Sequence, residues 1–419
     1  MNALCWVIGL WCACCGALAG KPDDSEKDRF GYYLAGNRTF TRIPFQLHSN
    51  LIIVPVQING SDTLHFILDT GVSSIIVTDP KAIKRQSLKL TRRVKLTGAG
   101  EGEQLTATVA IGNTLRMAGM RANHQNIVVL DEDILKLSEY VGVPVHGIFG
   151  YELFNNFVVS IDFQAREIIL MTPKSYRYRK SKGDRYPITI QDTKPYINVT
   201  AVTEGQKTLP LRVLLDTGAG HALLLDRTRN PESLPLPAKV IRAQLGRGLN
   251  GVINGNLGRI QKVQLGRYEL TDILASFPDS LSFGMKLVNA PERQGNVGCE
   301  LLRRFRVTFN YAEQYIVLKP VRRLMREAFE HDMSGLELRA RGERYRNYFI
   351  DKILDGSPAA LSGLREGDEL MFINNQSVSN LSISDIYKML QRGEGKEVSL
   401  FVRRNGQIVF ASFALRRLI

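Results

Sequence analysis

Beyond its first 15 residues this chain of 419 residues has a single cysteine, Cys299. Cys5, Cys12, Cys14 and Cys15 all lie in an apolar stretch from Ala3 to Ala19, and Ala17-Leu18-Ala19 before Gly20 reads as a small-residue cleavage site. Residues 1–19 are therefore expected to be a secretory signal peptide. Its n-region has no Lys or Arg, and the run is at the short end of the roughly 17–25 residues a spanning helix needs. An uncleaved anchor, or a lipid on Cys14 or Cys15, stays open as an alternative. The expectation is an exported protein (periplasmic, cell-surface or extracellular) that meets a membrane only through its N-terminus. Without the leader no intrachain disulfide can form. Cys299 follows a loop glycine and reads as a small buried hydrophobe, not a nucleophile.

Metal-ligand patterns are also missing. The six histidines (48, 65, 124, 146, 221 and 331) have no ligand-like spacing, and His-Glu-x-x-His is absent. No metal and no cofactor are expected. Gly-x-Ser-x-Gly and the phosphate-binding P-loop are absent too, which removes the commonest serine-hydrolase and nucleotide readings. Acidic residues are outnumbered, 41 against 55 Lys and Arg, giving a net charge of +14. The basic residues are spread along the chain, densest from Lys174 to Arg185 among Tyr176, Tyr178 and Tyr186. A nucleic-acid partner would use such a stretch, but its place between two similar halves reads as a solvated linker. No nucleic acid is expected. With 44% hydrophobic and 23% charged residues the chain is globular, and its length suggests about three domains of roughly 150 residues.

What is present is a repeat. Phe66-Ile67-Leu68-Asp69-Thr70-Gly71 is echoed by Val213-Leu214-Leu215-Asp216-Thr217-Gly218. Each places a carboxylate at the end of a short apolar strand, where burial is costly unless the charge is paired or hydrogen-bonded. Further pairs follow at the same spacing of 147 or 148 residues: Ile148-Phe149-Gly150 with Asn296-Val297-Gly298, and the strand from Phe157 with that from Phe305. Two similar β-rich lobes each contribute one aspartate.

The lobes start alike. Leu51–Ile58, the turn Asn59-Gly60 and Leu64–Leu68 form one hairpin; Tyr196–Val202, Glu204-Gly205 and Leu209–Leu215 form the other. About 30 residues after each aspartate lies a glycine-rich hairpin tip, with Gly98, Ala99 and Gly100 in the first lobe and Gly246, Arg247 and Gly248 in the second. Mobile tips of this kind suit lids. After Pro320, the spacing of Val321, Leu324, Met325, Ala328 and Phe329 predicts an amphipathic helix. A distinct unit begins at Gly335, with a helix carrying Ile383, Ile386, Tyr387 and Leu390 on one face and two last strands joined at Asn405-Gly406.

Each lobe resembles a retropepsin-like aspartic protease domain, on the apolar-apolar-Asp-Thr-Gly motif, the flap hairpin and the later apolar-apolar-Gly before a short helix. Asn296 departs from that pattern, standing where an apolar residue is usual, and Val72 is bulkier than the small residue usual there. The C-terminal unit resembles a bacterial protease-associated PDZ domain, on Gly356-Ser357-Pro358-Ala359-Ala360 and Gly363-Leu364-Arg365-Glu366-Gly367-Asp368. Together they are similar to secreted bacterial aspartyl proteases that carry a PDZ domain.

The expected architecture is mainly β: two retropepsin-like (acid protease) β lobes in tandem plus a C-terminal PDZ-like α+β domain. Its divisions are the signal peptide 1–19, a poorly ordered lead-in 20–42, lobe 1 at 43–171, a basic linker 172–186, lobe 2 at 187–320, a linker helix 321–334, and the PDZ domain 335–419. The resemblance implies an aspartic endopeptidase whose catalytic dyad is Asp69 and Asp216, with Thr70, Gly71, Thr217 and Gly218 bracing the loops. The flap residues would be Gly98, Ala99, Gly100, Gly246, Arg247 and Gly248. Met333, Ser334, Gly335 and Leu336 would form the PDZ carboxylate-binding loop, beside a groove between the strand Leu336 to Ala340 and the helix around Ser384–Leu390. Implied partners are protein or peptide substrates and C-terminal peptides at the PDZ domain, and a monomer is expected. The alternative is a catalytically silent scaffold acting as a PDZ peptide-binding protein. Pepsins place a hydroxyl after each Asp-Thr-Gly where this chain has Val72 and Ala219, which points to activity closer to neutral pH.

Overall fold

The computed structural model describes residues 29–205, 207–227, 234–280, 293–391 and 393–419. The expected leader and the first part of the lead-in lie outside the described residues.

Leu51–Ile58 is apolar at every position but Gln57; it buries Ile52, Val54, Val56 and Ile58 on one face, as the period of a strand requires, and Ile53 on the other. Asn59 and Gly60 both take positive φ (50° and 73°), the conformation that a tight two-residue reversal demands, and the chain returns as Leu64–Leu68. That returning strand is fully apolar at its end because it is sandwiched. Leu51–Ile58 pairs with it antiparallel on one side and Gly147–Phe149 runs parallel on the other. Gly147–Phe149 then pairs with Ile75–Val77, which runs parallel to Met120–Leu130.

The second lobe repeats the plan strand for strand. Thr208–Leu215 lies between Lys194–Val202, antiparallel, and Gly295–Val297, parallel. Leu223–Leu225 comes next, and Tyr268–Pro278 runs parallel to it. Among the described residues the lobe sheets have nine and eight strands. The chain is mainly β, two tandem acid-protease lobes followed by an α+β PDZ unit.

A six-stranded sheet joins the lobes from beneath. At its centre Val158–Asp162 pairs antiparallel with Phe305–Asn310, its own counterpart from the other half, with Ser160 opposite Thr308. These two are 148 residues apart and share a side-chain hydrogen bond of 2.9 Å. Pairing of equivalent residues places a pseudo-two-fold axis between them. One continuous apolar core runs through both lobes; the PDZ unit has its own, built on Leu338, Tyr348, Ile373, Ile386, Val398 and Val402.

Three stretches differ from expectation. Residues 31–44 are not a loose lead-in. Gly31–Leu34 pairs with Met120–Leu130, and Phe40–Pro44 forms an edge of the shared sheet against Glu167–Met171, burying Tyr33, Leu34 and Ile43. The basic stretch 172–186 does more than connect: Tyr176 is buried against Val158, Tyr315 and Val317, and Asp184–Pro187 adds the opposite edge strand. The helix after Pro320 is a single turn, Arg322–Met325. Its continuation is unwound by Arg304, whose buried guanidinium donates to the carbonyls of Leu324 (2.7 Å), Glu327 (2.5 Å) and Ala328 (3.4 Å). A buried guanidinium left without acceptors would be very costly. Arg304 therefore takes carbonyls that a longer helix would keep for itself, and lies over the Phe329 ring at 3.6 Å.

The PDZ helix Ile383–Leu390 begins with a capping box between Ser382 and Asp385, and Asn405 and Gly406 make the final turn at φ 50° and 82°. The unit is docked on both lobes. The Ser49 amide of the first lobe donates to Ser384 Oγ (3.0 Å), and Arg259 of the second donates from Nε to the Ile419 carbonyl (3.4 Å).

Candidate active site

The two aspartates end equivalent strands and meet between the lobes. Asp69 N–H donates to the Phe149 carbonyl (2.8 Å) and Asp216 N–H to that of Val297 (2.9 Å), so each apolar-apolar-Gly strand holds an acid by its backbone. Thr70 and Thr217 lock the two ends together. Each hydroxyl accepts the other's N–H at 3.0 Å and donates to a carbonyl of the other lobe: Thr70 Oγ1 to Leu215 O (2.6 Å), Thr217 Oγ1 to Leu68 O (2.8 Å). Both threonines are wholly buried, so every one of these groups needs its partner.

Gly71 N–H donates to Asp69 Oδ1 (2.6 Å) and Gly218 N–H to Asp216 Oδ1 (3.0 Å). Gly218 must be glycine because of what faces it: a Cβ there would stand 2.1 Å from Asp69 Cγ. One at Gly71 would stand 2.9 Å from Asp69 Oδ1 and 3.5 Å from Asp216 Oδ1, which shows how closely the two carboxyl groups converge. The two carboxyl groups therefore face one another across the lobe boundary. Burial, and then the charge of Asp216, push the Asp69 carboxyl up to about 8.

Two further side chains, Asn296 and His221, complete this floor. Asn296 Nδ2 donates to Asp216 Oδ2 (2.6 Å), and its Oδ1 lies 3.1 Å from His221 Nε2. The hairpin tips near Asn50 and Thr193 cross between lobes: Asn50 Nδ2 donates to Gly220 O (3.1 Å), and Ser73 Oγ and Thr193 Oγ1 are hydrogen-bonded at 2.5 Å. Lys194 follows, within electrostatic reach of both aspartates, its own pKa lowered mainly by burial. Cys299 is buried and donates from Sγ to the Thr217 carbonyl (3.3 Å), with its thiol pKa pushed well up by burial. That is the chemistry of a packed residue. Val72 packs among Ile53, Ile67 and Ile148.

The glycine-rich hairpins form as Lys89–Leu96 with Leu105–Met117 and as Val240–Gly248 with Gly251–Leu265. Their tips are interlocked. Asn250, 2% exposed, donates from N to Ala99 O (2.8 Å) and from Nδ2 to Glu103 O (2.6 Å). It accepts from Gly102 N (2.6 Å) at its carbonyl and from Gly98 N at Oδ1. Gly100 and Gly248 lie so close to the facing backbone that a Cβ on either would clash with it. Arg247 reaches the Ile134 and Leu135 carbonyls (both 3.3 Å) and stacks on Tyr140 (4.9 Å). Tyr140 is in turn covered on the PDZ side by Arg339 (4.7 Å).

At the PDZ loop, Met333, Ser334 and Leu336 are buried, and the chain supplies its own carboxylate. Asp332 Oδ2 accepts from Gly335 N and from Leu336 N (3.1 Å), and Oδ1 accepts from Ser334 Oγ (2.7 Å). The Leu338 N–H, on the strand expected to receive a peptide, donates to the Tyr387 hydroxyl (2.8 Å), and the lobe-1 helix Leu137–Val141 packs against that strand. A peptide carboxylate entering this loop would have to displace Asp332.

Among the described residues no three of His, Cys, Asp and Glu converge as metal ligands, and no helix is long and apolar enough to cross a membrane. Asn250, Asn296, His221 and Asp332 are site residues that sequence reasoning did not assign. Only Asn296 gave a signal, as the polar residue in an otherwise apolar motif.

Residues 54–153 and 199–300 match the family model described as aspartyl protease, and residues 349–404 the one described as PDZ domain. The chain thus carries an aspartyl protease domain in two segments and a PDZ domain near its C-terminus. It is also similar to tight junction protein ZO-3. Identity is 33% over 97 residues to the protein of Canis lupus familiaris and 32% over 97 residues to that of Homo sapiens. Each match covers 23% of this chain and 10% of the relative, so the chain spans only about a tenth of the length of these curated relatives.

Proposed function

We propose that the chain is an aspartic endopeptidase that hydrolyses peptide bonds with an intramolecular dyad, Asp69 and Asp216, acting in a monomer. The observation that carries this is the reciprocal Thr70–Thr217 bonding, which ties together the two loops whose carboxyl groups converge. Like charges this close cannot both ionise. The ionised member removes a proton from a bound water as its oxygen attacks the peptide carbonyl; the protonated member gives its proton to the carbonyl oxygen. The resulting gem-diol collapses with the C–N bond breaking and the nitrogen leaving protonated. The interlocked hairpin tips are the lids that part for the substrate. The PDZ unit recruits or gates protein and peptide substrates, in a chain exported by the segment 1–19.

Digestion of a peptide library by the intact chain and by Asp69→Asn and Asp216→Asn variants tests the reading. Turnover by the native chain only, with no recovery on mixing the two variants, is the expected result. Activity surviving either substitution, or restored by mixing, would contradict an intramolecular dyad. A silent scaffold working through its PDZ unit would cleave nothing in any form.

A further inference from the structure

One difference between the two lobes falls directly on the dyad. In the second lobe the middle residue of Gly295–Val297 is Asn296, 3% exposed, with its amide on Asp216. In the first lobe the middle residue of Gly147–Phe149 is Ile148, which packs with Ile53, Ile67 and Val72. Asp216 therefore accepts from Gly218 N and Asn296 Nδ2, while the neighbour that matches Asn296 on the Asp69 side has nothing to donate.

Asn296 turns its NH2 to Asp216 Oδ2 and its oxygen to His221 Nε2. His221 must then donate from Nε2, leaving Nδ1 unprotonated in the neutral ring. Burial lowers the His221 pKa, against the pull of the Asp216 charge, and so favours that neutral form. Hydrogen bonds to a carboxylate stabilise its charged form.

We propose that Asn296, oriented by His221, is a positioning residue that keeps the negative charge on Asp216 and the shared proton on Asp69. This deepens the peptidase reading above, on which it rests, by giving the two aspartates different tasks. Asp216 is the base that takes a proton from water. Asp69 is the acid whose proton goes to the carbonyl oxygen as the new C–O bond forms. When the gem-diol collapses, Asp216 passes its proton to the departing nitrogen and Asp69 recovers one from a gem-diol hydroxyl. The chain is then in its starting state, with one water consumed.

Other charged and titratable groups near Asp216 are Asp69, Lys194, Arg293, His221 and Cys299. Lys194 acts on both aspartates, more strongly on Asp69, whose charged form it favours, and so opposes the bias that Asn296 sets. Arg293 acts on both, more strongly on Asp216, and reinforces the bias. The thiol of Cys299 stays neutral.

The test is a pH titration of aspartate carboxyl carbons by 13C NMR on the full chain, assigned with Asp69→Asn and Asp216→Asn. It is run beside the pH profiles of kcat and KM on the best library peptide. In the native chain Asp69 should hold the shared proton to higher pH than an ordinary carboxyl does. Asn296→Ile, which installs the first lobe's residue, should move the proton signal away from Asp69 and raise the acid limb of kcat by about 1–2 pH units, the worth of one charge-assisted hydrogen bond, with little change in KM. His221→Gln keeps a donor toward the amide and should preserve the native profile; His221→Leu should shift it as Asn296→Ile does. Should Asn296→Ile not fold, His221→Leu, which removes no contact to either aspartate, decides the matter. A proton resident on Asp216 in the native chain, or an unchanged titration in a folded Asn296→Ile or His221→Leu chain, would overturn the assignment. If no peptide is cleaved the peptidase reading fails, while the carbon titration still reports where the proton sits.

Discussion

Thr70 and Thr217 each use one hydroxyl twice, accepting an amide N–H from the opposite lobe and donating to a carbonyl of that lobe. Four buried polar groups are satisfied by two side chains, and none has water as an alternative.

Thr217→Val keeps the shape and removes the hydroxyl, orphaning the Thr70 N–H and the Leu68 carbonyl. Each buried orphan costs about 1–3 kcal/mol. Urea denaturation should show that loss together with loss of turnover, and Thr217→Ser should recover most of both. Equal stability of the two variants would mean that packing, not hydrogen bonding, joins the lobes here.

The Asp69 carboxyl titrates above its ordinary range, at about 8, because burial and the neighbouring Asp216 charge disfavour ionisation. The folded chain therefore keeps a proton that the unfolded chain releases near pH 4. The resulting stability is complete below the unfolded pKa and is lost as pH rises through the folded one. The melting temperature should fall between about pH 5 and pH 8, and Asp69→Asn should flatten that fall. Turnover, which needs the Asp69 proton, should reach toward neutral pH. An optimum near pH 2–3, well below unperturbed carboxylates, would contradict this.

Asn250 closes the two hairpin tips on one another. Asn250→Ala removes its side-chain bonds to Gly98 and Glu103, each worth about 1 kcal/mol. Amide exchange at Gly98 and Gly102 should accelerate by roughly an order of magnitude or more, while strands of the shared sheet stay protected. Leu249 packs on the apolar cluster of Leu105 and Leu135, and unchanged exchange at those amides would show that this packing, not Asn250, holds the tips.

Asp332 occupies the PDZ loop amides. In an Asp216→Asn background, which cannot consume the ligand, the full chain should not distinguish a C-terminal peptide from its amidated form. Asp332→Ala should create that distinction, in favour of the free carboxylate. Calorimetric titration of both peptides checks it, and a native preference for the free carboxylate would show that Asp332 is readily displaced.

The repeat was legible because each motif is local: three or six consecutive residues carry the strand, the acid and its turn, and the Asn-Gly turns are equally short-range. The strands at Gly31–Leu34 and Phe40–Pro44 were not, since their partners Met120–Leu130 and Glu167–Met171 lie far along the chain. Asn250 is isolated in sequence from the Ala99 and Gly102 it clamps. His221 has an unremarkable spacing and acquires its role only through Asn296, 75 residues later. The helix expected from Val321 has sound periodicity, but periodicity cannot register a buried arginine that competes for the helix's carbonyls.

The central pairing of the shared sheet bears on synthesis at the ribosome. Val158–Asp162 keeps one edge open until Phe305–Asn310 has been made, since that strand alone satisfies it. A nascent first half therefore presents an unpaired strand edge, with its aspartate still lacking a counterpart. That edge is shaped for a strand running antiparallel to it with the same sequence pattern, so a second nascent copy fits it nearly as well as the proper partner. A chain halted before Phe305 is expected to dimerise through Ser160, and one halted after Pro320 to remain single. Sedimentation of the two truncated products separates these outcomes.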